Sequence, residues 1–374
     1  MARSLLIPFA VCACVVGVGC GGSSSTDDAP ANEGGAGGQE GDQADPSNGG
    51  SGGTDQGAGG HAQQGGTSAQ ARGGSSQMPD GGASPDAAAV KGGAGGAALL
   101  PRVPRPADDD YKPDVISKLR FPAPTGAEIS QVQANLGNLF LSRSFTGSNG
   151  LKLPYRLHVP DRASYKNKAP LLMFMHGAGE RGYGNDSQIG PAVFIAGPGV
   201  WAIGERAKAV PLFMLAPQCP PEDHWDGLQT PPAGLQFTGS TRSMKTAIEL
   251  LDQVIKDNPT IDTKRVYVMG MSMGGFATWE MVSRWPEKFA AGIPMCGGGS
   301  KKYGPVLVNM PLWVIHGDAD GSVDYKLDQV MVDYLKSLGG MPRFSLYKGV
   351  GHIVWEPAYR NETELFPWLF SQSH

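Results

Sequence analysis

Aromatic and charged residues are scarce in this chain of 374 residues, at 8% and 18%, and the shortage is concentrated near one end. Residues 21–100 contain no Phe, Trp, Tyr or Ile, while holding 24 of the 55 glycines. A stretch of that kind cannot bury enough apolar area to offset the entropy of ordering its backbone, so it is read as a disordered Gly/Ser-rich tether with an r.m.s. span of roughly 50 Å. The glycines follow no three-residue period, which excludes collagen, and only one long apolar run exists, which excludes a polytopic membrane protein. Basic residues are also few in 21–100, where nine acidic side chains stand against Arg72 and Lys91 alone, a net of −7. With the whole chain at −4 and Arg3 contributing +1, residues 101–374 come to +2 and carry no Lys/Arg run. No nucleic-acid partner is expected of such a surface. No His/Cys cluster has zinc spacing either, so no metal and no cofactor are expected.

Cysteine is sparse. Cys12, Cys14 and Cys20 lie in the first twenty residues, leaving Cys219 and Cys296 for the folded part. Spacing alone leaves a disulfide and two buried thiols equally open. Residues 1–20 have the layout of a secretory signal, a basic Arg3 followed by an apolar run from Leu5 to Gly19. Cys20 then resembles the lipid-receiving cysteine of a bacterial lipoprotein, although Gly17 stands where such junctions favour Leu. A plain cleaved signal or an uncleaved anchor helix is the alternative, and every version exports the rest of the chain. The expected membrane contact is the N-terminal lipid anchor alone.

The part with a full complement of apolar residues begins at Pro101. Residues 101–138 read as a lead-in with a short helix expected at 127–136. Strand-like runs at 139–145 and 153–159 flank Ser148-Asn149-Gly150, the turn chemistry of an antiparallel hairpin. From Pro170 onward, unalternating apolar runs at 171–175, 210–215, 266–269, 292–294, 312–315 and 344–347 are read as strands buried on both faces. Helical stretches at 243–256, 275–284 and 326–337 separate them. Strands alternating with helices call for an α/β domain over 139–374, with a mostly parallel central sheet covered by helices on both faces.

Three stretches at strand ends carry chemistry. Gly270-Met271-Ser272-Met273-Gly274 joins a buried strand to a helix, and a turn that sharp strains the serine and lifts its hydroxyl clear of the sheet. The strand at 312–315 delivers Asp318 and Asp320, with Asp324 a third candidate acid, to the sheet edge where open α/β folds collect function. His352 follows the last strand between glycines and completes the chain order Ser, Asp, His. His176 and His316 open strand-end loops and are expected to hydrogen-bond there. The glycines of His176-Gly177-Ala178-Gly179 let backbone N–H groups face a substrate oxygen, and Ala178 with Met273 is the expected oxyanion pair. A phosphate-cradling loop is disfavoured because no Lys follows in the required spacing. The long connection at 219–240, with Trp225, is expected to shape a substrate cleft.

Leu153-Pro154-Tyr155-Arg156, His176-Gly177-Ala178-Gly179-Glu180-Arg181-Gly182, Ala216-Pro217-Gln218-Cys219-Pro220, Gly270-Met271-Ser272-Met273-Gly274-Gly275, His316-Gly317-x-x-Asp320-x-x-Val323 and Gly351-His352-x-x-Trp355 together resemble the α/β-hydrolase superfamily. More narrowly, they are similar to the secreted carboxylesterases related to poly(3-hydroxybutyrate) depolymerases, feruloyl esterases and the phospholipase/carboxylesterase group. The resemblance spans about residues 140–370. It implies the α/β-hydrolase fold, selects Asp320 as the acid, and implies a serine hydrolase acting on a small-molecule or polymer-borne ester; separately, a monomer is expected. A peptidase of prolyl-oligopeptidase type shares the arrangement but carries a large propeller domain, which is not expected within these residues. A noncatalytic module on the same scaffold is disfavoured because Ser272, Asp320 and His352 are all in place.

Overall fold

A computed structural model describes residues 111–229, 236–237 and 239–374. The signal at 1–20, Cys20 and the tether at 21–100 lie outside the described residues, as does most of the connection between Gln229 and Gly239.

Eight strands make the central sheet: β1 (Leu141–Thr146), β2 (Lys152–His158), β3 (Ala169–Met175), β4 (Phe213–Pro217), β5 (Ile261–Met271), β6 (Ala291–Met295), β7 (Trp313–Gly317) and β8 (Arg343–Tyr347). Their order is β1-β2-β4-β3-β5-β6-β7-β8. β1 and β2 are antiparallel, as are β2 and β4, and every pair from β4 through β8 is parallel. This is the α/β-hydrolase fold.

The absence of alternation in the apolar runs has a direct cause. Along β3, Leu172 and Phe174 enter one core, while Leu171, Met173 and Met175 enter the core on the opposite face. β5 divides likewise, with Tyr267, Met269 and Met271 on one side and Val266 and Val268 on the other. Successive side chains of a strand point to opposite faces, so a strand covered on both must be apolar throughout. β8 departs from this expectation. It is the last strand of the sheet, its residues are half-buried or exposed, and among the described residues no strand pairs with its outer edge. The run at 210–215 also divides differently: Val210 closes a short helix, Gly204–Ala209, and the strand begins at Phe213.

Helices cover the sheet for reasons visible in their spacing. α1 (Gly126–Ala134) begins one residue before the expected 127 because Thr125 and Glu128 form a reciprocal capping box. α2 (Arg242–Asp257) buries Met244, Ala247, Leu250, Leu251 and Val254, the i, i+3, i+7 stripe of an amphipathic helix. Its Thr241 cap contributes about 1 kcal/mol, and one fully buried Leu about 1.5–3, so packing rather than capping holds it in place. α3 (Met273–Arg284), which follows β5, and α4 (Lys326–Ser337), which follows β7, complete the layers around the strand ends.

Candidate active site

The turn between β5 and α3 is strained where the sequence pattern requires it. Ser272 sits at φ 54°, ψ −121°, a region that non-Gly residues adopt at a cost of about 1–3 kcal/mol. Hydrogen bonds hold it there: the Ser272 N–H donates to the Met295 carbonyl at 2.9 Å, and the Gly275 and Phe276 amides donate to the Ser272 carbonyl at 2.8 and 3.1 Å. The glycines are required by close approach of backbones. A Cβ on Gly274 would lie 1.9 Å from the Met175 carbonyl oxygen, and one on Gly270 would lie 2.4 Å from that of Gly274.

The loops after β7 and β8 converge on this turn. His352 Nε2 is 2.9 Å from Ser272 Oγ, and His352 Nδ1 is 2.7 Å from Asp320 Oδ2. Asp320 Oδ1 accepts the Ser322 and Val323 amides at 2.8 and 2.9 Å. Burial alone would raise this carboxyl. Hydrogen bonds from His316, His352 and the two amides outweigh it and hold Asp320 well below the usual carboxylate range. The competing acids are turn residues. Asp318 accepts the Gly349 amide at 2.6 Å and pairs with Lys348 at 3.0 Å, while Asp324 accepts the Lys326 amide at 3.0 Å.

Behind Asp320, His316 hydrogen-bonds in its strand-end loop as expected, but with a partner, Asp328, that the sequence did not single out. Fully buried His316 approaches Asp320 Oδ2 at 3.2 Å through Nε2 and Asp328 Oδ2 at 2.8 Å through Nδ1. Asp328 also accepts Trp279 Nε1–H at 2.7 Å and the Gly297 amide at 3.1 Å.

The loop after β3 passes close beside the serine: a Cβ on Gly177 would stand 3.6 Å from Ser272 Cβ and 3.0 Å from the Glu180 carboxylate. Burial pushes the Glu180 carboxyl up, against the amides of Glu180 and Gly177. Arg181 ties the loop to its neighbours, donating from Nε to the Ala178 carbonyl and from Nη1 to those of Pro221 and Asp223. His176 anchors the base of the loop: its Nδ1–H donates to the Gly177 carbonyl at 2.6 Å and its Nε2 accepts the Cys219 amide at 2.9 Å. Burial brings His176 down to about 4, so it is neutral and structural. Tyr183 and Ile353 are exposed, and the Tyr183 hydroxyl donates to Glu222.

Cys219 and Cys296 are both free and buried. Burial pushes Cys219 up to about 12 and Cys296 well above its ordinary value, so neither offers a thiolate. Among the described residues, Cys296, Asp320 and His352 are the one group with metal-ligating atoms within 4.8 Å of each other. The facing atoms of Asp320 and His352 already share a hydrogen bond, so a cation there would compete with the Asp320–His352 contact. Among the described residues no helix is long and apolar enough to cross a membrane.

The model of a protein family described as Phospholipase/Carboxylesterase matches residues 162–361, 200 of the 374. A poly(3-hydroxyalkanoate) depolymerase C from Paucimonas lemoignei is 30% identical over 125 residues, covering 33% of this chain and 30% of that protein. A bifunctional acetylxylan esterase/xylanase from Neocallimastix patriciarum is 37% identical over 90 residues, 23% of this chain and 13% of its own. The solved structure of a thermostable esterase superposes with a TM-score of 0.58 at 34% identity, covering 63% of this chain and 64% of that one. The chain therefore spans less than a third of the length of these two curated relatives and just under two thirds of the esterase.

Proposed function

The chain belongs to the phospholipase/carboxylesterase family, and from that premise we propose that it hydrolyses carboxylic esters through an acyl-enzyme intermediate on Ser272. What carries this reading is the unbroken hydrogen-bond line from Ser272 through His352 to Asp320, at 2.9 and 2.7 Å. Asp320 is an acceptor only, so it takes the Nδ1–H of His352 and leaves Nε2 free as a base. His352 then removes the Ser272 proton as Oγ attacks the ester carbonyl carbon. The C=O electron pair moves onto oxygen, and the N–H groups of Met273 and Ala178 receive that charge. Met273 opens α3, so its amide has no intrahelical acceptor and is available for the purpose. Collapse of the intermediate expels the alcohol, which takes the proton from His352. Water activated by the same nitrogen releases the acid.

The substrate class is an ester borne by a small molecule or a polymer. Turnover of p-nitrophenyl acyl esters by the purified protein, and its loss in Ser272→Ala, tests the proposal, and undiminished turnover in that variant refutes it. Cleavage of peptides without esterase activity would move the assignment to the peptidase reading. Graded acyl esters, acetylated xylan and poly(3-hydroxyalkanoate) as substrates narrow the class. Export is part of the same proposal, supported by the basic and apolar N-terminus, with Cys20 as the lipid-bearing residue. Palmitate labelling that disappears in Cys20→Ala is the expected result, and an unlabelled wild type leaves a secreted or helix-anchored enzyme.

A further inference from the structure

His316 takes no part in the steps above, yet every polar atom around its ring is an acceptor. Nδ1 faces Asp328 Oδ2 at 2.8 Å, while Nε2 faces the Val323 carbonyl at 3.0 Å and Asp320 Oδ2 at 3.2 Å. A neutral imidazole has one N–H and one lone pair, so either tautomer would turn a lone pair onto a buried oxygen. Asp328 has the opposite surroundings. Trp279 Nε1–H reaches Oδ1, and the Gly297 amide reaches Oδ2, so the carboxylate form is the one its neighbours solvate. We infer that His316 is a resident imidazolium and that the Asp328–His316 pair is a positioning device for Asp320, keeping it ionised and fixed behind His352.

This inference rests on Ser272, His352 and Asp320 acting as proposed, and it adds a reason for their polarity. His352 Nδ1–H points at Asp320 Oδ2, and His316 Nε2–H, shared with the Val323 carbonyl, lies against the same oxygen at 3.2 Å, so the carboxylate is approached from two sides. A cation on its far side lowers the affinity of Asp320 for the proton that His352 carries during acyl transfer. The proton then stays on the imidazole, where the leaving alcohol needs it. Asp328 compensates the added charge, so the buried pair is neutral overall. The other titratable groups facing this cluster are His352, beyond Asp320, and Cys296, whose thiol burial keeps protonated. Burial also works against the charge on His316, but its hydrogen bonds to Asp320 and Asp328 outweigh that and push it up to about 9.

The direct test is the protonation state of His316 in the wild-type protein, read from long-range 1H–15N spectra of the chain labelled with 15N-histidine and assigned with His316→Gln. Both ring nitrogens protonated at pH 7.5 is the expected result, about one pH unit above the ordinary midpoint of the side chain. A single protonated nitrogen at that pH overturns the inference. The second measurement is the pH profile of kcat/KM for Asp328→Asn, a variant that keeps the size of the side chain, removes the counter-ion and replaces one accepting oxygen with an NH2 donor. Without that counter-ion His316 gives up its proton, and the acidic limb moves up by about one pH unit, because the cation lost behind Asp320 lies nearer to His352 than the Asp328 anion lost with it. An unmoved limb also overturns the inference. Labelling of Ser272 by a fluorophosphonate in the same samples reports the nucleophile independently, so failure of the acyl-transfer reading is distinguishable from failure of this one.

Discussion

Arg181 donates from Nε to the carbonyl oxygen of Ala178 at 3.0 Å, and so braces the residue whose N–H, together with that of Met273, is proposed to receive the oxyanion. The same guanidinium reaches the Pro221 and Asp223 carbonyls on the facing loop, at 3.1 and 3.3 Å. Lysine has one compact ammonium and cannot span three acceptors in this fork. Arg181→Lys is therefore expected to lower kcat about ten-fold while KM changes little, a smaller loss than the 10²–10³ of deleting an oxyanion donor outright. Steady-state kinetics on a short acyl ester decides it, and a pure KM effect would mean that Arg181 acts on binding instead.

Asp320 and Asp318 are two residues apart and differ in every contact. The first meets two histidines, and the second meets Lys348 and a backbone amide. Asp320→Asn loses the acceptor that fixes the His352 tautomer, for which a fall of about 10⁴ in kcat is expected. Asp318→Asn keeps the oxygen that caps Gly349 and is expected to stay within about two-fold of the wild type, since an exposed ion pair is worth little. Equal losses in the two variants would reverse the choice of acid.

Gly274 is a structural bottleneck. Its missing Cβ would lie 1.9 Å from the Met175 carbonyl oxygen and 2.8 Å from that of His176, both main-chain atoms of β3 and the loop after it. Met175 cannot move without breaking its pairing with Gly270 of β5. Gly274→Ala is expected to cost at least ~3 kcal/mol, the upper range of overpacking in a close-packed interior. Urea denaturation of the two proteins measures it, and a cost below ~1 kcal/mol would show that the turn can shift.

Much of this was legible in the chain because it depended on neighbours in sequence. The Gly270–Gly274 pattern between an apolar strand and a helix located Ser272, and the buried runs at 171–175 and 266–269 located the middle of the sheet. The edge position of β8 was not legible, since Phe344-Ser345-Leu346-Tyr347 is as apolar as an inner strand and only sheet order exposes it. The choice among Asp318, Asp320 and Asp324 came from resemblance, and their separate roles depend on which loop each one faces. The Asp328–His316 pair did leave a trace. Asp328 shares the buried stripe of α4 with Met331, Val332 and Leu335, and an acid at i beside apolar residues at i+3, i+4 and i+7 implies a buried partner.

His176 and His316, both fully buried, should bend the pH dependence of stability in opposite directions. The unfolded chain takes up a proton on histidine near pH 6.5, whereas folded His176 does so only at about 4. Between those values the unfolded state binds more protons, so stability falls as the pH drops from 6.5 to 4, by up to about 3 kcal/mol from this residue. Folded His316 holds its proton to about 9, so its contribution is complete below pH 6.5 and is lost as the pH rises from there toward 9. Glu180 and Glu280, whose carboxyls burial raises, act against His176 on the acid side, because their contribution is complete at low pH and fades as the pH rises. Comparison of variants therefore isolates each histidine better than the wild-type curve does. Urea unfolding of the wild type, His176→Gln and His316→Gln at pH 4.5, 6.5 and 8.5 should show the acid-side slope reduced in the first variant and the alkaline-side slope reduced in the second. An alkaline slope unchanged by His316→Gln would mean that the proton lost above pH 6.5 belongs to another group.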